Sequence, residues 1–268
     1  MNQTARLTGA QETSLAIAAA VVTANAYYIH PIIALVADHF GVSHARIGLV
    51  PALNQLALAV GIFMLLPLGD RISNRRLTIA FATGQTVCLS IMTLAQDFTL
   101  FVIGSTLLGY FTIAPYLLPA YASKRVAPER LGQVTAKLTA GVILGILVAR
   151  VGAGVIAEHF GWRAVYWIAT GLMLAITIAL PRLMERGERS ASHRQSYPSL
   201  LVSVFPLIGK HREILLAGAI QGLNFAQFIA LWLGLALYLT SPAMGYGTDT
   251  VGYLAGLAAV SIFSTPRL

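Results

Sequence analysis

Long apolar stretches without a charged residue constrain this chain more than any other feature. Four of them follow one another in the first half of the chain. They contain 25, 23, 20 and 26 residues and lie between Glu12 and Asp38, Arg46 and Asp70, Arg76 and Asp97, and Asp97 and Lys124. A helix needs about 20 mostly apolar residues to cross the hydrocarbon core of a bilayer. Each stretch therefore predicts a membrane-spanning helix.

Four further runs extend this pattern. The fifth covers residues 131–157 and is interrupted by Lys137 and Arg150; the others cover 164–183, part of 214–248, and a stretch beginning near Thr250. We therefore predict an all-α integral membrane protein, with a six-helix bundle followed by helix seven and part of helix eight. Its predicted divisions are a six-helix half (1–184), a basic connector (185–213) and an incomplete second half (214–268).

Composition excludes several other classes of protein. Only 10% of the residues are charged, whereas a soluble domain carries about a quarter. The net charge of +8 is typical of basic loops in a membrane protein, so we expect a lipid bilayer and no nucleic acid as partner. One cysteine, Cys88, allows no intrachain disulfide. Zinc-protease, serine-hydrolase and phosphate-binding motifs are missing, so we expect neither an enzyme nor a metal or cofactor site.

The basic residues between the helices predict the orientation. Thirteen of the 18 Lys and Arg residues lie in segments on the side of the N-terminus, and only Arg46 and Arg163 lie in connectors on the other side. Cytoplasmic loops carry the excess of Lys and Arg, so the N-terminus is expected in the cytoplasm. Within the connector, residues 197–208 turn apolar. They favour either a helix lying flat at the interface or a simple continuation into helix seven.

The loop between helices two and three carries a family resemblance. It contains Gly69, Asp70 and Arg71, followed by the basic pair Arg75 and Arg76. A carboxylate beside three guanidinium groups can form charge-assisted bonds to neighbouring helix ends and so act as a gating loop; the alternative is that the arginines only set topology. The loop resembles the signature loop of the major facilitator superfamily, which implies a transporter of two similar halves.

Two more segments resemble one bacterial efflux branch of that superfamily, the drug:proton antiporters and sugar-efflux permeases. Residues 24–31 read ANAYYIHP, with His30 where the branch usually has Gln. Residues 145–154 read GILVARVGAG, where the antiporters carry Gly-x-x-x-Gly-Pro-x-x-Gly-Gly. Ser105 occupies the place of the antiporters' helix-four arginine, which puts proton coupling by that route in doubt.

Ionisable residues inside the predicted helices are candidate substrate-pathway groups. A central Arg or Lys costs about 2.5–3.5 kcal/mol to insert. Arg150 either faces a cavity and binds an anionic or polar substrate group, pairs with a carboxylate on a helix that is absent from this chain, or snorkels to the headgroups. Lys137 is as easily explained by snorkelling. His30 either carries a proton or is a hydrogen-bonded interior residue.

Polar and aromatic residues at membrane depth complete the candidate pathway. In the superfamily, helices one, four and seven line the central cavity, so the resemblance implies cavity roles for Asn25, Tyr27, Tyr28, Tyr110, Tyr116, Gln221, Asn224 and Gln227. The alternative for each is a hydrogen bond between helices. Small residues recur every four positions in helix five, at Gly141, Gly145, Ala149, Ala153 and Ala157. This stripe serves either static packing or the surface on which two halves rock.

The expected function is secondary active transport, with export of a small molecule driven by the proton gradient across a bacterial inner membrane. A complete protein of this family has about twelve helices. The run of eight that ends at residues 261–268 therefore predicts a truncated chain, and the alternative function is a membrane-inserted remnant without transport. The substrate and the oligomeric state do not follow from the sequence.

Overall fold

The chain forms a bundle of helices. The computed structural model describes residues 7–184 and 196–257, and these residues contain no strand. Besides a 3-10 helix at Leu66–Asp70, the helices are α1 (Gly9–Ala24), α2 (Ile29–Phe40), α3 (His44–Ile47), α4 (Leu49–Leu65), α5 (Asn74–Leu94), α6 (Phe98–Phe111), α7 (Ala114–Ser123), α8 (Pro128–Phe160), α9 (Trp162–Leu183), α10 (Tyr197–Val202), α11 (Val204–Lys210), α12 (Arg212–Leu239) and α13 (Thr248–Leu257).

Seven helical segments of the described residues are long and apolar enough to cross a membrane, which confirms the all-α membrane fold. Numbered as spans one to seven, they are Gly9–Phe40, His44–Asp70, Asn74–Leu94, Phe98–Ser123, Pro128–Phe160, Trp162–Leu183 and Arg212–Leu239. Helix α13 begins at Thr248, close to the predicted start of helix eight. Residues 185–195 of the connector and the predicted end at 261–268 lie outside the described residues.

Spans one and four are each broken near the middle. Residues 25–28 and 112–113 form turns between two helical parts. Pro31 and Pro115 follow these turns, and a proline removes a backbone donor and clashes with the carbonyl four residues earlier. In the turns, backbone hydrogen bonds reach back three residues instead of four. Examples are Tyr27 N–H to the Ala24 carbonyl (2.9 Å) and Thr112 N–H to the Gly109 carbonyl (3.0 Å).

The packing of the first six spans has an internal symmetry. Span one packs on span five, span two on span four, and span three on span six. If spans one, two and three are exchanged with spans four, five and six, respectively, the same three pairs result. The pattern is therefore that of an internal repeat, the architecture expected of secondary transporters, although no repeat is visible in the sequence.

The small-residue stripe of α8 brings two backbones together. A Cβ atom built on Gly141 would lie 2.4 Å from the Ala16 carbonyl oxygen, and one on Gly145 would lie 2.3 Å from that of Ala20. Ala149 and Ala153 continue the buried face, each with 1% exposure. The stripe thus packs α8 against α1, inside the six-helix unit, because only hydrogen fits between these backbones.

The apolar end of the connector folds as two short helices, α10 and α11, and does not simply continue α12. The Tyr197 hydroxyl donates to the Met64 carbonyl at the end of span two. The Phe205 and Phe63 rings meet edge to face at 5.9 Å. The connector helices are therefore attached to the gating-loop end of span two.

Candidate functional site

A cavity of about 680 Å³ lies between spans one, two, four, five and seven. Its wall is neutral: among the described residues, no lining side chain is charged. The lining residues are Thr23, Ala26, Tyr27, Gln55, Leu58, Thr112, Pro115, Tyr116, Pro119, Leu138, Thr139, Val142, Ile146, Gly218, Gln221, Gly222 and Phe225. A cavity of this size and chemistry suits a small organic molecule.

Three of the predicted pathway residues line this cavity: Tyr27, Tyr116 and Gln221. Two others, Asn224 and Gln227, are exposed on α12 and are not among its lining residues. The turns that break spans one and four lie beside the cavity. Tyr27 and Thr112, which line the cavity, therefore belong to non-helical backbone.

The remaining aromatic candidates lie elsewhere. Tyr28 lines a separate apolar groove of about 460 Å³ between α1, α8 and α9. Lys137 also lies in this groove and donates to the Thr13 hydroxyl at 2.7 Å. The Tyr110 ring packs edge to face on Phe111 at 5.4 Å.

A buried hydrogen-bond chain holds the two span breaks together. The Asn25 amide donates to the Gln85 side-chain oxygen at 3.0 Å and contacts the Met173 sulfur at 3.4 Å. The Gln85 amide in turn donates to the Thr112 hydroxyl at 2.7 Å. Asn25 therefore joins helices together behind the cavity wall. Sequence reasoning missed Gln85, whose only signal was an amide within an apolar span.

Arg150 and His30 meet beyond the closed end of the cavity, outside its lining. Arg150 is 2% exposed and His30 1% exposed, so the guanidinium lies between helices and does not snorkel to a headgroup. The Arg150 Nη2 atom lies 3.1 Å from His30 Nδ1. Three aromatic rings surround the guanidinium, with centroids 5.5 Å (Tyr27), 4.6 Å (Phe228) and 4.4 Å (Trp232) from Cζ.

Helices α8 and α13 close the bundle on the far side of Arg150. A Cβ on Gly154 would lie 2.4 Å from the Thr248 carbonyl oxygen. The Glu158 carboxylate accepts bonds from the Thr248 N–H (2.8 Å) and hydroxyl (2.9 Å). This carboxylate satisfies a backbone donor at the start of α13 from a neighbouring helix, as an N-cap does.

The predicted gating loop lies at the opposite end of the bundle. Gly69 and Asp70 end the 3-10 helix, and the exposed Arg71 follows. The Arg75 Nε atom donates to the Pro181 carbonyl at 2.8 Å, which ties the loop to the end of span six. Arg76 donates its N–H to the Ser73 hydroxyl, the cap of α5. Within the described residues, no group of His, Cys, Asp and Glu has the arrangement of a metal site.

Comparison with known proteins agrees with this architecture. The sequence profile of the Major Facilitator Superfamily matches residues 15–267. The chain is 32% identical over 238 residues to the uncharacterized transporter YgaY of Escherichia coli O157:H7, covering 89% of this chain and 60% of that protein. It is 30% identical over 255 residues to the probable transporter SCO4007 of Streptomyces coelicolor, covering 91% of this chain and 57% of the relative. The chain thus spans less than two thirds of the length of these curated relatives.

Proposed function

The chain belongs to the major facilitator superfamily, and we propose that it is a secondary active transporter that exports a small organic molecule in exchange for protons. In this proposal it lies in the inner membrane of a bacterium with its N-terminus in the cytoplasm. The six-helix unit (1–184) and the segment from residue 214 onward belong to two different halves, joined by the connector.

One observation carries this proposal: α8 lies apart from α12 at one end of the bundle and contacts α12 and α13 nearer the other end. Both α8 and α12 begin at the end of the bundle where α1 begins. Near that end, residues 138–146 and 218–225 of these helices face each other across the cavity. Nearer the other end, Arg150 contacts Phe228 and Trp232, and Glu158 bonds to Thr248.

A cavity closed at one end and open toward the other is one of the two states that alternating access requires. With the N-terminus in the cytoplasm, this state is open inward. Separation of α8 from α13 would produce the outward-open state, because their contacts close the other end. The basic loops at the N-terminal end support that orientation.

The test uses everted membrane vesicles from bacteria that make the chain, acidified inside by respiration and monitored with acridine orange. Benzenesulfonate, ethidium and arabinose are added in turn, as an acid, a cation and a sugar. A proton-coupled exporter would carry its substrate inward and protons outward, so the fluorescence recovers. Recovery is expected for at least one compound; equal responses in vesicles lacking the chain for all three would refute the proposal.

Matched glycine variants connect transport with closure. Gly154→Leu places a side chain where the Thr248 carbonyl approaches, whereas Gly152, on the same helix, has no atom within 4 Å of its Cβ position. We expect Gly154→Leu to lose the response and Gly152→Leu to keep it at equal protein levels. Equal activity of both variants would refute closure of α8 on α13 as a step of transport.

A further inference from the structure

In the part of the chain that the structure describes, the Arg150 guanidinium is a buried positive charge without a negative partner. Within the described residues it forms no ion pair, and its Nε atom has no hydrogen-bond partner. The surrounding rings of Tyr27, Phe228 and Trp232 offer π faces but no negative charge. Buried charges in proteins are normally paired. The exception at Arg150 therefore indicates that a charge from elsewhere completes the site.

His30 adds a second unused donor. An arginine only donates hydrogen bonds, so His30 Nδ1 must be the acceptor of the bond from Arg150. The neutral ring then carries its proton on Nε2, and this buried atom also has no hydrogen-bond partner. Two N–H donors, from Arg150 and His30, are thus left without acceptors in one buried place.

We propose that Arg150 and His30 bind the carboxylate of a monoanionic organic acid, which is the substrate of the transporter; this rests on the proposed function. One guanidinium matches one carboxylate in bidentate geometry, whereas a phosphate dianion would require further cations. The cavity next to the site has no charged lining residue. The remainder of the acid is therefore uncharged.

The cavity and the anion site share a wall. Tyr27 lines the cavity and also lies 5.5 Å from Arg150 Cζ. Phe228 stacks at 6.2 Å on Phe225, a cavity residue. On the other side of Arg150, the void beside Trp232 has no room for a water molecule. The rings therefore cover the guanidinium in this inward-open state, and the carboxylate takes their place when the Phe228 and Trp232 side chains move away from Arg150.

The test is thermal unfolding of the purified full chain in detergent at increasing ligand concentrations, since a ligand of the folded state raises the midpoint by mass action. The probes are benzoate, its neutral analogue benzamide, and inorganic phosphate. Benzoate alone is expected to raise the unfolding midpoint. A rise with benzamide equal to that with benzoate, or a larger one with phosphate, would overturn the proposal.

Three variants assign the binding to these residues. Arg150→Gln, which removes the charge, and His30→Phe, which keeps a ring but removes its N–H donor, should each weaken benzoate binding about tenfold or more, the scale of a lost hydrogen bond to a charged group. The control is Arg163→Gln, because Arg163 also contacts a histidine, His39 at 3.0 Å, and lies over a tryptophan ring, but outside the cavity. Arg163→Gln should bind benzoate as the unmodified chain does.

The outcomes separate this inference from the proposed function. Unchanged benzoate binding in Arg150→Gln would overturn the anion site while leaving transport standing. If Arg150→Gln does not fold, His30→Phe and Arg150→Lys decide, since Phe lacks the N–H donor and Lys keeps the charge but loses the planar fork. A second outcome would also overturn only the anion site and leave the transport function standing. In this outcome the unmodified chain and Arg150→Lys transport ethidium or arabinose at the same rate, and neither binds benzoate.

Discussion

The close approach of α1 and α8 at Gly145 predicts the effect of the smallest possible side chain there. A Cβ at residue 145 would lie 2.3 Å from the Ala20 carbonyl oxygen and 2.7 Å from its Cα, whereas ordinary contact begins at 3.4 Å. All three nearest atoms belong to the backbone of Ala20, so no side chain can rotate away. For Gly145→Ala the two helices must therefore move apart by roughly 1 Å.

Two opposing effects determine the change in stability. Overpacking a tight contact costs about 1–3 kcal/mol, while alanine in a helix gains up to about 1 kcal/mol over glycine. Gly152→Ala has the gain without the clash, because no atom lies within 4 Å of its Cβ position. The difference between the two variants isolates the clash, and we expect Gly145→Ala to be less stable than Gly152→Ala by about 1–3 kcal/mol.

The assay is unfolding of both purified variants in the same detergent, followed by circular dichroism and compared with the unmodified chain. Gly145→Ala should unfold at a lower denaturant concentration than the unmodified chain, and Gly152→Ala at the same or a higher one. Free energies of unfolding of the two variants within about 0.5 kcal/mol of each other, the range of ordinary surface substitutions, would refute the reasoning.

Two further predictions concern hydrogen bonds. Thr248→Val removes the hydroxyl that lies 2.9 Å from the Glu158 carboxylate and 3.0 Å from the Gly154 carbonyl. A hydrogen bond to a charged group is worth about 1.5–3 kcal/mol, so amide hydrogen exchange in the first turn of α13 should accelerate about tenfold or more. Thr248→Ser should leave the exchange unchanged, and equal rates in both variants would contradict this. Gln85→Leu leaves the buried Asn25 and Thr112 groups without their partner and should lower the free energy of unfolding by about 1–3 kcal/mol. Adding Thr112→Val should recover part of that loss; additive losses would show that the chain of bonds is not coupled.

Helix positions were predictable because one physical requirement dominates them. Any segment that crosses a bilayer must be about 20 mostly apolar residues long. The apolar runs therefore predicted spans one to six within a few residues and the start of span seven, the fifth despite Lys137 and Arg150 inside it. The breaks in spans one and four were not predicted. Pro31 and Pro115 were visible in the sequence, but whether a proline kinks a membrane helix or interrupts it depends on the neighbours that satisfy the freed backbone groups.

The site was only partly predictable, because its partners are distant in sequence. Arg150 and His30 were both recognised as costly groups at membrane depth, yet they are separated by 120 positions and their contact appears only when spans one and five pack. The sequence likewise gave no reason to connect Gln85 with Asn25 and Thr112. Polarity at membrane depth identifies candidates, whereas packing alone decides which of them face a cavity and which join helices.

The breaks in spans one and four also indicate how far water reaches into the protein. Non-helical backbone at membrane depth persists only where protein or a water-filled cavity satisfies it. Here Tyr27 and Thr112, one from each break, lie on the wall of the same cavity. The two turns thus mark a shared level at which the solvent of one compartment ends. Beyond that level, the described residues form the packed rings around Arg150 and the contact of α8 with α13, so the insulating layer between the two compartments is shorter than a full span.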